Sequence, residues 1–346
     1  MPPTPLYDRL QAAGARFGDY GGAETAAAFS DPAAEFAALR SGCAVYDLGR
    51  RGKIMITGPD RVRWMNGMVT NNVTGLAPGR GVYSFVLNAQ GRILGDMYIY
   101  NFGEHLLVDT DIAQVAKLMQ LFQHYIIMDE VELSDAGAKL TAIGVRGPRS
   151  QEVLTQAGFE AAELDALQFK NFMWRDVNLF LARIDSEAYE IWMPPEHAAK
   201  VWDVLISAGA TPVGTKALEL FRIASGVPRY GQDIRERDLP QETGQFQALH
   251  FTKGCYLGQE IVERIHSRGN VHRQFTSFIV EDAAPGPGSK LRAGGKDVGE
   301  LTSVATLSLN GSEKTVALGY VRREAAGSDS TLEVDGGKAR VARKIL

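Results

Sequence analysis

Cysteine is scarce: the 346 residues hold only Cys43 and Cys255, far apart in sequence. Two distant thiols make no disulfide framework, and they are too few for an iron–sulfur site inside the chain. A reducing compartment, the cytoplasm, is expected. No apolar run reaches the length of about 18 residues that a membrane helix needs, and the opening MPPTPLYDRL lacks the basic and apolar regions of a secretory leader. Charge of one sign is also missing. Lys+Arg number 37 against 41 Asp+Glu, a net charge of -4 with no basic or acidic block, so neither direct nucleic-acid contact nor a membrane partner is expected. There is no G-x-G-x-x-G after a strand, no Walker loop, no zinc-protease helix and no G-x-S-x-G elbow. Nothing suggests ATP or a dinucleotide. His250, Cys255, His266 and His272 follow no zinc spacing, so no metal site is expected.

What is present is a globular composition, 45% hydrophobic and 23% charged, at a length suited to two or three domains. Residues 1 to 45 read as helical turns and loops, with a helix at AAEFAALRSG. GKIMITG then reads as a strand, PDRVRWMNGMVTNNV as a helix, and GVYSFVLNAQGRILGDMYIYNFGEHLLVDT as strands turning at NAQG and NFGE. DIAQVAKLMQLFQHYI is an amphipathic helix, with Asp109 or Thr110 near its cap, and EVELSD a final strand. From KLTAIGVRGP onward the order partly recurs as a second α+β unit, with strands in FMWRDVNLFLARI and YEIWMP. After Gly269 only alternating segments between Gly and Pro turns remain, which predicts a small antiparallel barrel or sandwich. The predicted fold class is α+β. Residues 1–137 hold a helical segment and a first unit, 138–270 a second, and 271–346 the β domain.

The stretch KGCYLGQE, residues 253–260, places Cys255 between two glycines and just ahead of a helical pattern with Ile261, Val262 and Ile265 on one face. A helix start and Lys253 would both favour a thiolate, while Gly254 and Gly258 allow close-packed backbone. The plain alternative is an inert, buried free cysteine. Asp96 at the head of DMYIY, Glu190 inside YEIWMP and Tyr83 opening YSFVL are polar positions in apolar surroundings. A carboxylate there can hold a donor-rich heteroaromatic ring or accept a proton; the alternative is a solvent-facing residue or a salt bridge. Arg222 and Asp233 read equally well as a tie between a loop and its helix.

Together these segments resemble a family. KGCYLGQE is similar to the signature of the YgfZ family, folate-binding proteins related to the glycine-cleavage T-protein, and VERIHSRGNVHRQF resembles that family's basic continuation. VYSFVLNAQGRILGDMYIY, YEIWMP, LFRIASGVPRYGQDIRERDLPQETG and VGELTS resemble the wider superfamily in order. The resemblance implies a three-domain cloverleaf around a folate channel, with tetrahydrofolate or a one-carbon derivative as cofactor. It implies Asp96 at the folate reaction centre and Tyr83, Glu190 and Arg222 as ligand contacts. Cys255 becomes the key residue, flanked by Lys253, Gly254, Tyr256, Gly258, Gln259 and Glu260. T-proteins often carry two adjacent acids where this chain has Gly95–Asp96, and they typically lack the cysteine. The YgfZ branch implies support of iron–sulfur client proteins and, through them, tRNA modification. The alternative it implies is a folate-dependent aminomethyl or methyl transferase.

Overall fold

The computed structural model describes residues 3–161, 164–269, 271–309, 312–328, 330–342 and 345–346. The chain forms two compact units, Met1–Ser84 with Met97–Leu218, and Phe85–Asp96 with Glu219–Leu346. It crosses between them at residues 84/85, 96/97 and 218/219, so the units are not consecutive stretches.

The first unit opens with α1 (Tyr7–Ala12), β1 (Arg16–Tyr20), β2 (Ala23–Ala28), α2 (Pro32–Ser41) and β3 (Ala44–Asp47). The β1–β2 hairpin lies where helical turns and loops are expected. Its second strand is alanine-rich, and burial of Ala23, Ala26 and Ala28 holds it extended against local helix preference. Then follow β4 (Arg51–Thr57), α3 (Arg61–Met68), β5 (Arg80–Leu87), β6 (Ile93–Asn101), β7 (Leu106–Asp111), α4 (Ile112–His124) and β8 (Glu132–Asp135). These strands make a five-stranded sheet in the order β5-β6-β7-β4-β8. Helix α4 buries Val115, Leu118 and Phe122 along one stripe, as its spacing predicts. Its N-cap is Asp111, rather than Asp109 or Thr110, and the Asp111 side chain makes no capping bond.

A second sheet uses β9 (Thr141–Arg146), β10 (Phe169–Trp174), β11 (Val177–Arg183), β12 (Ala188–Met193) and β13 (Thr211–Pro212), with α5 (Ser150–Gln156), α6 (Ala198–Ser207) and α7 (Thr215–Ala224) between or after them. Its order is β10-β11-β12-β9-β3-β13. Strand β3, from early in the chain, pairs antiparallel with β9 and parallel with β13. A cut at 137/138 therefore runs through this sheet's membership. FMWRDVNLFLARI splits into β10 and β11 at Arg175–Asp176, both at positive φ, a two-residue turn without the glycine that would announce it. Apolar residues on β9, β11 and β12 pack with α1, α5 and α6 into one core.

In the second unit, α8 (Gln259–Arg268) precedes β14 (Arg273–Glu281), β15 (Lys290–Ala293), β16 (Lys296–Leu309), β17 (Ser312–Arg322), β18 (Thr331–Val334) and β19 (Gly337–Ala342). Strand β14 pairs with both β17 and β19, closing a six-stranded barrel around Phe278, Leu291, Leu301, Val321 and Val341. Closure leaves no unpaired edge, which decides barrel over sandwich.

The loop before α8 is fastened to the barrel by two buried aspartates. Asp233 accepts from Arg222 Nη1 at 2.6 Å, from the Arg229 backbone N–H at 3.0 Å and from Ser303 Oγ at 2.7 Å. Asp238 accepts from the Arg235 backbone N–H and from Arg273 Nη2, both at 2.7 Å. Helix α8 starts against the hairpin tip of the same unit. Its N-cap, Gly258, has φ +81°, and a Cβ there would lie 2.5 Å from the Asn88 carbonyl oxygen; one on Gly91, at φ +71°, would lie 2.8 Å from Ile261 Cβ. Gly254 differs: its φ is not left-handed and nothing lies within 4 Å of a Cβ built on it. Close packing requires glycine at 258, whereas the space around Gly254 is open. Gly258→Ala should lower stability by about 1–3 kcal/mol through strain and backbone collision, and Gly254→Ala by less than about 1 kcal/mol. Urea unfolding of both variants checks this, and equal losses would contradict the packing.

Candidate functional site

One register between β4 and β7 sets the charged centre of the first unit. Lys53 stands opposite Asp109 and Arg51 opposite Asp111. Lys53 Nζ donates to Asp109 Oδ2 at 2.9 Å, with side-chain exposures of 1% and 2%. Arg51 Nε donates to Asp109 Oδ1 at 2.7 Å and Arg51 Nη1 to Asp111 Oδ1 at 2.9 Å, where Arg50 Nη1 also donates at 3.0 Å. Asp111 is occupied by arginines, which explains its missing cap bond.

Glu190, on β12, belongs to the same electrostatic cluster. Burial pushes its carboxyl up, the Asp109 charge pushes further the same way, and Lys53, Arg51 and the Trp192 N–H offset part of the rise. Trp192 Nε1 donates to Glu190 Oε2 at 2.8 Å. Asp109 moves the other way: burial alone would raise it, but Arg51 and Lys53 hold it below the usual carboxylate range. Two carboxyls in one cluster are thus separated in acidity, which lets one carry a proton while the other stays charged. A run of rings leads from Glu190's partner towards Tyr83: Trp192 to Tyr100 at 4.6 Å, Tyr100 to Tyr98 at 6.3 Å, Tyr98 to Tyr83 at 5.1 Å. Tyr83 is half-buried, and its backbone carbonyl accepts from Asn71 Nδ2 at 2.8 Å. Glu190 and Tyr83 are therefore joined through one chain of ring contacts. Sequence reasoning missed Lys53 and Arg51 and read Asp109 only as a residue near a helix cap. Their signal is charge in or just before the apolar runs KIMI and LLVD, and complementarity emerges once the register is known.

The other candidates lie in the second unit. Asp96 is half-buried on β6, at the end of the hairpin tip. Arg222 is a clamp. Its Nε donates to Glu219 at 3.0 Å, Nη1 to the Val227 carbonyl at 2.7 Å and to Asp233, and Nη2 to Ser303 at 2.9 Å and to Glu219. All five guanidinium N–H groups are engaged by the protein. A ligand would have to displace one of these bonds, so the geometry favours the loop-to-helix tie over direct ligand contact.

Cys255 is exposed and Cys43 is buried, where burial pushes the Cys43 thiol up to about 12. Of the two cysteines, Cys255 is the one offered to solvent. Gln259 locks the turn behind it, accepting from the Tyr256 backbone N–H at 3.1 Å and returning its own backbone N–H to the Tyr256 carbonyl at 3.2 Å. Gln259 Nε2 also donates to Glu263, and exposed Glu260 pairs with Arg264. The first helical residue of α8 is Gln259, so Cys255 lies beyond the first turn, where the dipole fades. Lys253 sits 4.9 Å from the centre of the buried Tyr256 ring, and burial pushes its ammonium down to about 7. Its charge is complete only below that pH and is lost as pH rises through it. Two supports expected for a thiolate, the helix start and a permanent lysine charge, are therefore weaker than the sequence suggests. Among the described residues no three His, Cys, Asp or Glu side chains gather as a metal-ligand set; His266 instead stacks on Phe251 at 3.8 Å.

Residues 6–253 match the GCVT N-terminal domain, and residues 272–344 match the CAF17 C-terminal beta-barrel domain. The chain is 28% identical over 337 residues to an aminomethyltransferase of Rubrobacter xylanophilus, spanning 95% of this chain and 89% of that protein. It is 28% identical over 356 residues to an aminomethyltransferase of Picosynechococcus sp., with coverage of 99% and 96%. The fold matches the glycine cleavage system aminomethyltransferase T of Bartonella henselae with a TM-score of 0.88 at 20% identity, covering 100% of this chain and 97% of that one. No helix among the described residues is long and apolar enough to cross a membrane.

Three measurements test this geometry. Asp109→Asn leaves Lys53 buried beside a neutral amide and should cost about 3–5 kcal/mol, whereas Glu190→Gln removes a carboxyl that folding holds above its ordinary value. Protonation of Glu190 stabilises the fold as pH falls, so wild type should lose stability relative to Glu190→Gln as pH rises through the raised value. Parallel pH-dependent melts of wild type and Glu190→Gln would refute the raised Glu190 carboxyl. For Lys253, acetylation at pH 7 followed by peptide mass spectrometry should find it modified ahead of exposed Lys290 and Lys296, since the neutral amine is the nucleophile. Equal or slower labelling would count against the lowered ammonium.

Proposed function

Because the chain belongs to the GCVT N-terminal-domain family and carries a CAF17-type barrel, as YgfZ-type proteins do, we propose that it binds reduced folate and supports iron–sulfur proteins through Cys255. The observation that carries this reading is the display of Cys255: an exposed thiol in a turn whose following helix is seated by a glycine that packing requires. A cysteine kept only for packing would be buried, as Cys43 is.

The residues present fit a reduced folate. Glu190, held by Trp192 and inclined to keep a proton, offers both donor and acceptor chemistry to a nitrogen-rich ring, and Tyr83 offers an aromatic surface. Folate would supply one-carbon or reducing capacity when bound. Cys255, exposed in its turn, would serve as nucleophile or transient ligand towards the client. A cytoplasmic setting, where thiols stay reduced, suits such a role.

The second reading, folate-dependent aminomethyl transfer, is favoured by the names of the relatives, and Asp96 would then carry the chemistry. Gly95 in place of a second acid weighs against it. The two readings separate in one experiment. In cells lacking this protein, the activity of an iron–sulfur enzyme should be restored by wild type and by Cys43→Ala, but not by Cys255→Ala or Cys255→Ser. Saturable tetrahydrofolate binding, read as a thermal shift, should persist in all of them. Full restoration by Cys255→Ala together with failure of Asp96→Asn would replace the proposal with the transferase.

A further inference from the structure

Five cationic side chains of the second unit, Arg92, Arg237, Arg273, Lys290 and Arg322, line an open groove of about 500 Å³. The groove lies on the outer face of the barrel, where Tyr320 and Glu300 form its floor beside the 237–242 loop. Its carboxylates are Glu242, Asp297 and Glu300. Each is already claimed. Glu242 accepts from Arg273 Nη2 at 3.0 Å, and Asp297 from Arg292, outside the groove, at 2.9 Å. Glu300 is shared by three cations, with Arg235 at 2.7 Å, Lys290 at 3.0 Å and Arg237. Burial alone would raise the Glu300 carboxyl, but these neighbours hold it down at about 2.

Positive charge is therefore in surplus on this face. Arg92 donates to the Arg237 backbone carbonyl, and Arg322 meets Glu324 only at 3.9 Å, with both side chains well exposed. The barrel register adds a second, independent observation. Arg273 on β14 stands directly opposite Arg322 on β17, a like-charge cross-strand pair that brings two guanidinium groups to one face. Glu242 and Asp238 offset the Arg273 side of that pair, and the Arg322 side is left facing the groove.

We infer that this groove binds a ligand bearing two or more phosphate groups, held between the Arg273–Arg322 pair and the Arg92–Arg237 rim. Guanidinium forks bind phosphate through paired N–H donors, and several forks around one groove suit a multiply charged oxyanion better than a single carboxylate. This site uses none of the residues assigned to folate or to Cys255 and does not depend on that assignment.

The test uses the whole protein at low ionic strength with pyrophosphate and tripolyphosphate as probes, read by calorimetry and by thermal shift. Both should bind saturably and raise the melting temperature, tripolyphosphate more than pyrophosphate, with affinity falling as salt is added. Arg322→Ala and Arg92→Ala should each weaken binding roughly tenfold, as loss of one charge-assisted contact predicts. Lys338→Ala, which removes the same charge from an exposed β19 position, should leave it unchanged. Absence of saturable binding, or equal weakening in Lys338→Ala, would overturn the site. Tricarballylate binding as tightly as tripolyphosphate would overturn the phosphate assignment. Circular dichroism of each variant confirms that its barrel is folded.

Discussion

The first unit is organised around a lysine that water cannot reach. Lys53 is fully buried, and the Asp109 carboxylate opposite it makes that position tolerable. Because both residues sit on paired strands, the ion pair and the β4–β7 register specify each other: a slip of one residue would turn one strand's charge to the opposite face and part the pair. Arg51, held through Asp109 and Asp111, adds the charge against which Glu190 settles. The acid–base character of this unit is thus a property of strand pairing.

The second unit uses the same physics for a different end. Asp233 and Asp238 come from a polar loop, yet both are fully buried, each under arginine and backbone or hydroxyl donors. The arginine that the resemblance marks as a ligand contact is absorbed here: Arg222 is held by Asp233, Glu219 and Ser303. The closed barrel gives this loop a rigid floor, and the loop in turn seats the segment that leads to Cys255. A thiol can be displayed on a loop only if the loop is held elsewhere.

Several features were legible along the chain because they rest on short-range pattern. The stripe of α4, the alternation of β14 and β17, and the glycine-bracketed octet depend on neighbours within a turn or a strand. The β1–β2 hairpin was not legible, since alanine favours helix and the strand exists through burial of Ala23, Ala26 and Ala28. The Arg175–Asp176 turn lacks a glycine, and β3 joins a sheet whose other strands come from residues 141–212, which no local window contains.

The sequence by itself determined the α+β class, the β-rich end, the family resemblance and the identity of Cys255 as the residue to watch. Each follows from composition, periodicity or a contiguous motif. Tertiary structure decided which charges are partners. It buried Lys53 against Asp109, gave Glu190 its raised carboxyl, spent the donors of Arg222 within the fold and lowered the Lys253 ammonium to about 7. Electrostatic free energy depends on distance and on exclusion of water, and both quantities come into being only when distant strands and loops pack.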